Sequence, residues 1–339
     1  MSPFFEKIAG NGALKEQISR NITGNTLSHA YIIEGPQGSG RHTLAYNIAA
    51  ALSCSSDGNI PCGKCKSCEK IFSHKSPDVI TVSLEEDRVT MGVETIRALK
   101  EDMVIAPNDL THKVYIIEDA NTMTVQAQNA FLLSLEEPPE YVVFFLICES
   151  SASLLETVRS RAPAYRMRRL DENEVRDYLL KNSQRAVWLS EEDPDVFNTV
   201  IKVADGRIGL ALSLLDGEAR SDMMEHRKIA ESLLSLLIDP DRASAIKTIA
   251  ALGSSRQEVK RYLTDAQYAT RDLLLLKKSD NAPLLFFTDR DAAQELSTRY
   301  SSASLIRFYD ALSTAILDLE ANSNVRLTLM NMMQAAGLI

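Results

Sequence analysis

Residues 31–43 read Tyr-Ile-Ile-Glu-Gly-Pro-Gln-Gly-Ser-Gly-Arg-His-Thr. An apolar run of β character ends in a loop with glycines at 35, 38 and 40, and helical spacing begins at Arg41. A strand that feeds a glycine-rich loop and then a helix lets backbone N–H groups cradle phosphate at the helix N-terminus. It points the surrounding chain toward an α/β unit with a mostly parallel sheet. The rest of the first half agrees. Runs at Ala30–Glu34, Val79–Val82, Val114–Ile117 and Val142–Ile147, with a short one near Ala164–Met167, predict strands. Their continuous apolarity suits burial under helices on both faces. Arg41–Leu52, Val93–Glu101 and Thr124–Leu135 carry helical spacing between them.

The chemically active positions of this loop are altered. The pattern G-x-x-x-x-G-K-[ST] needs a lysine for the β and γ phosphates and a hydroxyl for magnesium, and this chain has Arg41 and His42 there. Arginine keeps the charge without the compact ammonium, and histidine brings no hydroxyl. The acidic strand Val114-Tyr-Ile-Ile-Glu118-Asp119 reverses the expected Asp-Glu order, which shifts both carboxylates. Gly35, Gly38, Gly40 and Arg41, with Glu118 and Asp119, are thus a degenerate nucleotide site. Hydrolysis is not expected, the backbone cradle is retained, and ATP binding stays open. The rival is an ordinary strand–helix turn that never bound nucleotide.

Four of the five cysteines, Cys54, Cys62, Cys65 and Cys68, fall in a C-x7-C-x2-C-x2-C arrangement within a Gly-, Pro-, Ser- and Asp-rich stretch. Thiolates two residues apart can converge on one tetrahedral ion, and four sulfurs leave no open position for catalysis, so a structural zinc module at 54–68 is expected. Iron–sulfur ligation is the competitor. Lys64, Lys66, Lys70 and Lys75 make the segment locally basic, but no aromatic lies among the cysteines to stack on bases. A structural or protein-contact role is favoured. Cys148, in an apolar run, reads as a core thiol.

Further on, Glu156-Thr-Val-Arg159-Ser160-Arg161-Ala162 is followed by Arg166, Arg168 and Arg169. A solvated basic face is one reading; an arginine offered to a neighbouring subunit's nucleotide site is the other. After Arg169 the β-branched runs give way to helical spacing, as in Leu305, Phe308, Leu312, Ile316 and Leu319. Asp205-Gly206 and Asp239-Pro240 are expected breaks between helical units. The net charge of -9 argues against a chain that coats nucleic acid through a basic surface of its own. Met1-Ser-Pro-Phe-Phe-Glu-Lys lacks a signal-peptide layout, and runs such as Leu273–Leu276 are too short for a bilayer, so a cytoplasmic, non-membrane protein is expected.

The motifs stand in a telling order: Leu27-Ser-His29-Ala30-Tyr-Ile, the phosphate loop, the cysteine insertion, Ser76-Pro77-Asp78, the run Asn129-Ala-Phe-Leu-Leu-Ser-Leu135-Glu136-Glu137-Pro138-Pro139, Ser160-Arg161, and Asn322-Ser-Asn324-Val-Arg326-Leu327. Together they resemble the bacterial clamp-loader family, the AAA+ subunits of DNA polymerase III, and within it the delta-prime type, which keeps the zinc module and arginine turn without a competent ATPase. Motor subunits of the gamma/tau type keep the Lys-Thr loop and Asp-Glu strand, from which this chain departs at Arg41, His42, Glu118 and Asp119. A sensor arginine is also missing from Asp205-Gly206-Arg207-Ile-Gly209, where Gly209 takes the aligned position. Ala162 in place of cysteine and a shorter first cysteine gap depart from the delta-prime pattern.

The resemblance implies an α/β P-loop (AAA+) domain at 1–169 with its inserted zinc module, a small helical lid at 170–217 and an all-α collar for oligomerisation at 218–339. It implies a hetero-oligomeric ring with gamma/tau and delta subunits that loads the sliding clamp on primed DNA, with DNA met through the complex. Arg161 would act in trans as an arginine finger, Zn2+ would be structural, and the chain would join a polymerase holoenzyme without ATPase activity of its own. The alternative is an active gamma/tau-like ATPase with a variant loop.

Overall fold

The computed structural model describes residues 5–338 except 6, 25, 57–59, 85–87, 89, 239–241, 280–283, 288 and 322. The expected break at Asp239-Pro240, Asn322 and most of the first six residues therefore lie outside the described residues. The chain divides into two units, Met1–Ser183 with Asp205–Ala211, and Gln184–Ala204 with Leu212–Ile339.

In the first unit the order is α1 (Gly12–Thr23), β1 (Ala30–Glu34), α2 (Arg41–Leu52), α3 (Lys66–Phe72), β2 (Val79–Val82), α4 (Val93–Met103), β3 (Lys113–Ile117), α5 (Val125–Glu136), β4 (Val142–Cys148), α6 (Glu156–Arg159), β5 (Ala164–Arg166) and α7 (Glu172–Asn182). All the strands are parallel, in the order β2-β3-β4-β1-β5. The expected parallel sheet is present, with strand bounds within a residue of those read from the apolar runs.

Alternation along each strand explains why the runs had to be apolar throughout. Tyr31, Ile33, Val114, Ile116, Phe145 and Ile147 pack on one face with Leu44 and Ile48 of α2 and Ile18 of α1. Ile32, Tyr115, Ile117, Phe144 and Leu146 pack on the other with Ile96 of α4 and Phe131 of α5. A sheet covered on both faces excludes water from every side chain of β3 and β4. Its C-terminal edge is where an open parallel sheet presents ligands to loops, and the loop after β1 and Glu118 after β3 both lie there.

The ends of the helices follow their sequence signals. Thr124 caps α5 through Ala127 N–H, and Asp171 and Glu174 form a reciprocal capping box on α7. The expected break at Asp205-Gly206 is observed, with both residues in left-handed backbone.

The second unit holds α8 (Gln184–Glu192) and α9 (Pro194–Ala204); the chain returns through α10 (Ile208–Leu214) to α11 (Gly217–Ser235), α12 (Arg242–Ala251), α13 (Arg256–Leu276), α14 (Arg290–Thr298), α15 (Ser302–Glu320) and α16 (Val325–Ala336). Leu305, Phe308, Leu312 and Leu319 of α15 are buried against α11, α13 and α16. This face, open between bundle core and oligomer contact in the sequence, is core. Asp272 of α13 is fully buried and accepts N–H groups of Leu285, Phe286 and Phe287 at 2.8, 2.7 and 3.3 Å, tying the segment before α14 to the bundle. Among the described residues no helix is long and apolar enough to cross a membrane.

Candidate functional site

The loop between β1 and α2, expected from its spacing to cradle phosphate, turns through three glycines at positive φ. Gly35, Gly38 and Gly40 adopt φ of 158°, 79° and 95°. A Cβ on Gly35 would come 2.7 Å from the Met167 carbonyl oxygen, so only glycine fits. The loop is braced from outside as well. Gly209 N–H donates to Gly38 C=O at 2.7 Å, and a Cβ on Gly209 would lie 3.1 Å from Gly38 Cα. Gly209 is thus in tight backbone contact with the loop, a contact that a Cβ there would crowd.

His42 and Glu118, read from the sequence as standing where a magnesium-binding pair would be, face each other. His42 Nδ1 stands 3.4 Å from Glu118 Oε1, both partly exposed. In a working loop the hydroxyl and the strand carboxylate converge on magnesium; here an imidazole meets the carboxylate directly. Asp119 takes left-handed backbone as it leads into a short 3-10 turn at Ala120–Thr122.

Arg41, the first residue of α2, is buried rather than extended into solvent, and its Nη1 finds no hydrogen-bond partner among the described residues. The Ser39 hydroxyl in the loop is likewise buried and unpartnered. Burial and the Glu34 charge push the Cys148 thiol up to about 11, with the Arg41 charge acting against them. Glu34 and Cys148 are partners in register at the ends of β1 and β4. Cys148 is the core thiol expected.

The Sγ atoms of Cys54, Cys62, Cys65 and Cys68 all lie within 4.8 Å of one another. Four sulfurs around a tetrahedral ion at ordinary zinc–sulfur lengths would stand about 3.8 Å apart, so these thiols can hold one metal ion. Cys65 caps the N-terminus of α3, and Cys68, one turn on, is buried in the sheet's core. Backbone N–H groups point at the sulfurs, from Cys62 to Cys54 at 3.4 Å and from Lys64 and Cys65 to Cys62 at 3.5 and 3.3 Å. Burial works to raise the Cys65 thiol, but N–H and side-chain donors from Cys68 and Ser55 outweigh it and hold the thiol at about 6. Burial raises Cys54 and Cys68. Donors aimed at sulfur favour thiolate, the form that binds metal. The basic character of the segment is partly cancelled by Lys70–Asp109 at 2.5 Å.

Arg161 follows α6, partly exposed. Its Nη1 donates to Thr157 C=O at 3.0 Å and Ser160 Oγ at 3.3 Å, and its Nη2 pairs with Glu136 Oε1 at 2.5 Å. Glu136 is the last residue of α5, so the Leu135-Glu136-Glu137-Pro138-Pro139 run and the Ser160-Arg161 turn meet through this pair. The neighbouring arginines are not an open basic face: Arg166 pairs with Glu34, Arg168 with Glu174 and Arg169 with Asp205.

Two anchors escaped the sequence reading. Asp78, quoted only as part of Ser76-Pro77-Asp78, is buried and accepts the N–H groups of Asn108, Asp109 and Leu110 at 2.7, 2.7 and 2.9 Å. Gln128 of α5, also buried, donates to Met123 C=O and accepts Leu155 N–H, fixing the segment that leads to Arg161. A single polar residue in an amphipathic run carries no local signal of such distant partners.

A model of the family described as "DNA polymerase III, delta subunit" matches residues 10–171. The DNA polymerase III subunit tau of Bacillus subtilis (strain 168) is 25% identical over 340 residues, covering 95% of this chain and 59% of its own length. The subunit tau/gamma of Haemophilus influenzae is 29% identical over 237 residues, covering 69% and 34%. The chain therefore spans less than two thirds of the curated relatives it matches. Among solved structures, a DNA polymerase III gamma subunit-related protein of Thermotoga maritima aligns over 95% of this chain and 98% of its own, with TM-score 0.47 and 20% identity.

Proposed function

We propose that the chain is a member of the bacterial clamp-loader AAA+ family and, within it, a non-hydrolysing, delta-prime-like subunit. In this reading it assembles with gamma/tau and delta subunits in the cytoplasm. The complex places the sliding clamp on primed DNA, and this chain lends Arg161 to a neighbouring ATPase subunit. The observation that carries the reading is the His42–Glu118 contact at 3.4 Å. Groups that an ATPase turns toward magnesium are turned toward each other, so the chain has no pair with which to order a metal-bound water.

Arg161 supports the other half. The guanidinium stands at a partly exposed turn, held by Thr157, Ser160 and Glu136, and would exchange the Glu136 carboxylate for a partner's transferring phosphoryl group. The four cysteines would hold Zn2+ as a structural ion that ties the segment before α3 to the sheet's core; a closed sulfur site supplies no chemistry to substrate. Residues 1–169, 170–217 and 218–339 serve in this proposal as AAA+ module, lid and collar.

The test is co-purification with the other clamp-loader subunits, followed by ATPase measurement with and without this chain. Arg161→Ala is expected to leave folding and metal content intact and to lower ATP turnover of the complex at least about tenfold, the direction set by removing a trans-acting charge. Unchanged turnover would return Arg161 to a surface ion pair. The curated relatives carry the names gamma and tau, which keeps one second reading, an active ATPase with a variant loop. Magnesium-dependent ATP turnover by the purified chain alone, lost in Arg41→Ala, would establish that reading and end the first.

A further inference from the structure

The three contacts of Arg161 differ in kind. Two are neutral and come from the turn that carries the arginine: Nη1 donates to Thr157 C=O at 3.0 Å and to Ser160 Oγ at 3.3 Å. The third is a charge brought from another element, Glu136, 25 residues away in the chain, whose Oε1 stands 2.5 Å from Nη2. The neutral pair sets the direction of the guanidinium, and the carboxylate covers one of its ends.

Glu136 is poorly placed for a carboxylate on local grounds. It is the last residue of α5, and the final turn of that helix holds no basic side chain. The helix dipole leaves partial negative charge on the carbonyls at that end, so an acidic side chain there is disfavoured unless a cation answers it. Arg161 is that cation. The pair is nevertheless open to solvent, with 35% of the Arg161 side chain and 44% of the Glu136 side chain exposed. An ion pair of this exposure is weak, worth about a two- to fivefold preference for the closed form, and so can be exchanged. A buried pair would not release its arginine so cheaply.

We infer that Glu136 is a positioning residue that acts as a reversible latch on Arg161, its carboxylate holding the guanidinium end that a partner's transferring phosphoryl group would take. The inference rests on the trans role proposed above for Arg161 and names what regulates it. A phosphoryl group offers three acceptor oxygens and more negative charge than one carboxylate, so it displaces Glu136, whereas a chain without such a neighbour keeps its arginine covered. Thr157 and Ser160 hold Nη1 in either state, so Nη2 changes acceptor without the guanidinium leaving its turn. Glu136 touches no reacting atom. Its pair with Arg161 is present before the chemical step and lost in it, so removing the pair speeds that step.

The complex of the full chain with its ATPase neighbours is assayed by single-turnover ATP hydrolysis with four forms of this chain: unaltered, Glu136→Gln, Arg161→Ala and both together. Glu136→Gln keeps the shape of the side chain and removes its charge. It is expected to raise the single-turnover rate about two- to fivefold, the worth of an exposed ion pair, with the ATP concentration for half-maximal rate unchanged. The gain is expected to vanish when Arg161→Ala is also present, a non-additivity that a merely structural role for Glu136 would not produce. In the chain alone, a dicarbonyl reagent that modifies accessible guanidinium groups is expected to react with Arg161 about two- to fivefold faster in Glu136→Gln, while Arg168, paired with Glu174, keeps its rate. Loss of turnover in Arg161→Ala with no gain in Glu136→Gln, a gain that persists without Arg161, or unaltered reactivity of Arg161 toward the reagent would overturn the latch and leave the trans arginine standing. Unchanged turnover in Arg161→Ala would end the trans reading, and the latch with it.

Discussion

Gly209 and Gly38 meet backbone to backbone, at a distance that would crowd a methyl group on Gly209. Gly209→Ala is expected to shift the 207–209 segment or the loop by a few tenths of an ångström. It is expected to lower stability by about 1–3 kcal/mol, the usual cost of overpacking, as read by thermal unfolding. Gly12→Ala is the matched control, because a Cβ there meets nothing within 4 Å. The sequence names the glycines of the loop and the altered positions around it. It shows Arg41, His42, Glu118 and Asp119 as departures from a pattern, but it does not show that two of them contact each other or that Arg41 turns inward. Those outcomes depend on side-chain directions set by the packing of α2 on the sheet, and such directions have no signature in spacing.

At the scale of elements, the cysteine segment is a connection with few apolar residues of its own, fastened at one end by Cys68 in the sheet's core. Its order is therefore expected to depend on a metal ion held by the four sulfurs more than on burial. Metal analysis of the purified chain should find one zinc per chain, and stripping it with a strong chelator should lose order around residues 54–68 while the sheet persists. Amide exchange that speeds up only in that segment is the expected result; a stable metal-free preparation with unchanged exchange would contradict it. The spacing alone made this module legible, because C-x2-C sets are local. The α15 face was only half legible: helical period shows that Leu305, Phe308 and Leu312 share a side, and their burial against α11, α13 and α16 shows what that side meets.

The whole molecule carries carboxylates of two kinds, and their signs differ between the units. In the first unit burial tends to raise Glu34 and Asp102, but Ser151 and Arg166 outweigh it for Glu34, and Tyr115 and Lys113 for Asp102; the Arg168 hydrogen bond lowers Glu174. Groups lowered in the folded state stabilise above their ordinary values and lose that contribution as pH falls through the lowered ones. In the second unit burial raises Asp272 above its ordinary 3.8. Its contribution is fully present below that value and is lost as pH rises through the raised one. Acidification from neutral toward pH 4 and below is therefore expected to weaken the first unit while relieving Asp272 in the second. Calorimetry at stepped pH should show the two transitions moving apart, and a single transition falling uniformly would refute it. By itself the sequence determined the five parallel strands, the loop and its damage, the sulfur cluster and the helical second half. Each of these is written in local period or spacing, which the backbone geometry enforces residue by residue. Only the tertiary structure decided that His42 meets Glu118, that Glu136 holds Arg161, that Asp78 and Asp272 pin distant loops, and that Arg41 lies buried with its Nη1 unpartnered among the described residues. These pairings join residues remote in the chain, and burial in a shared core, which no local pattern encodes, is what brings them together.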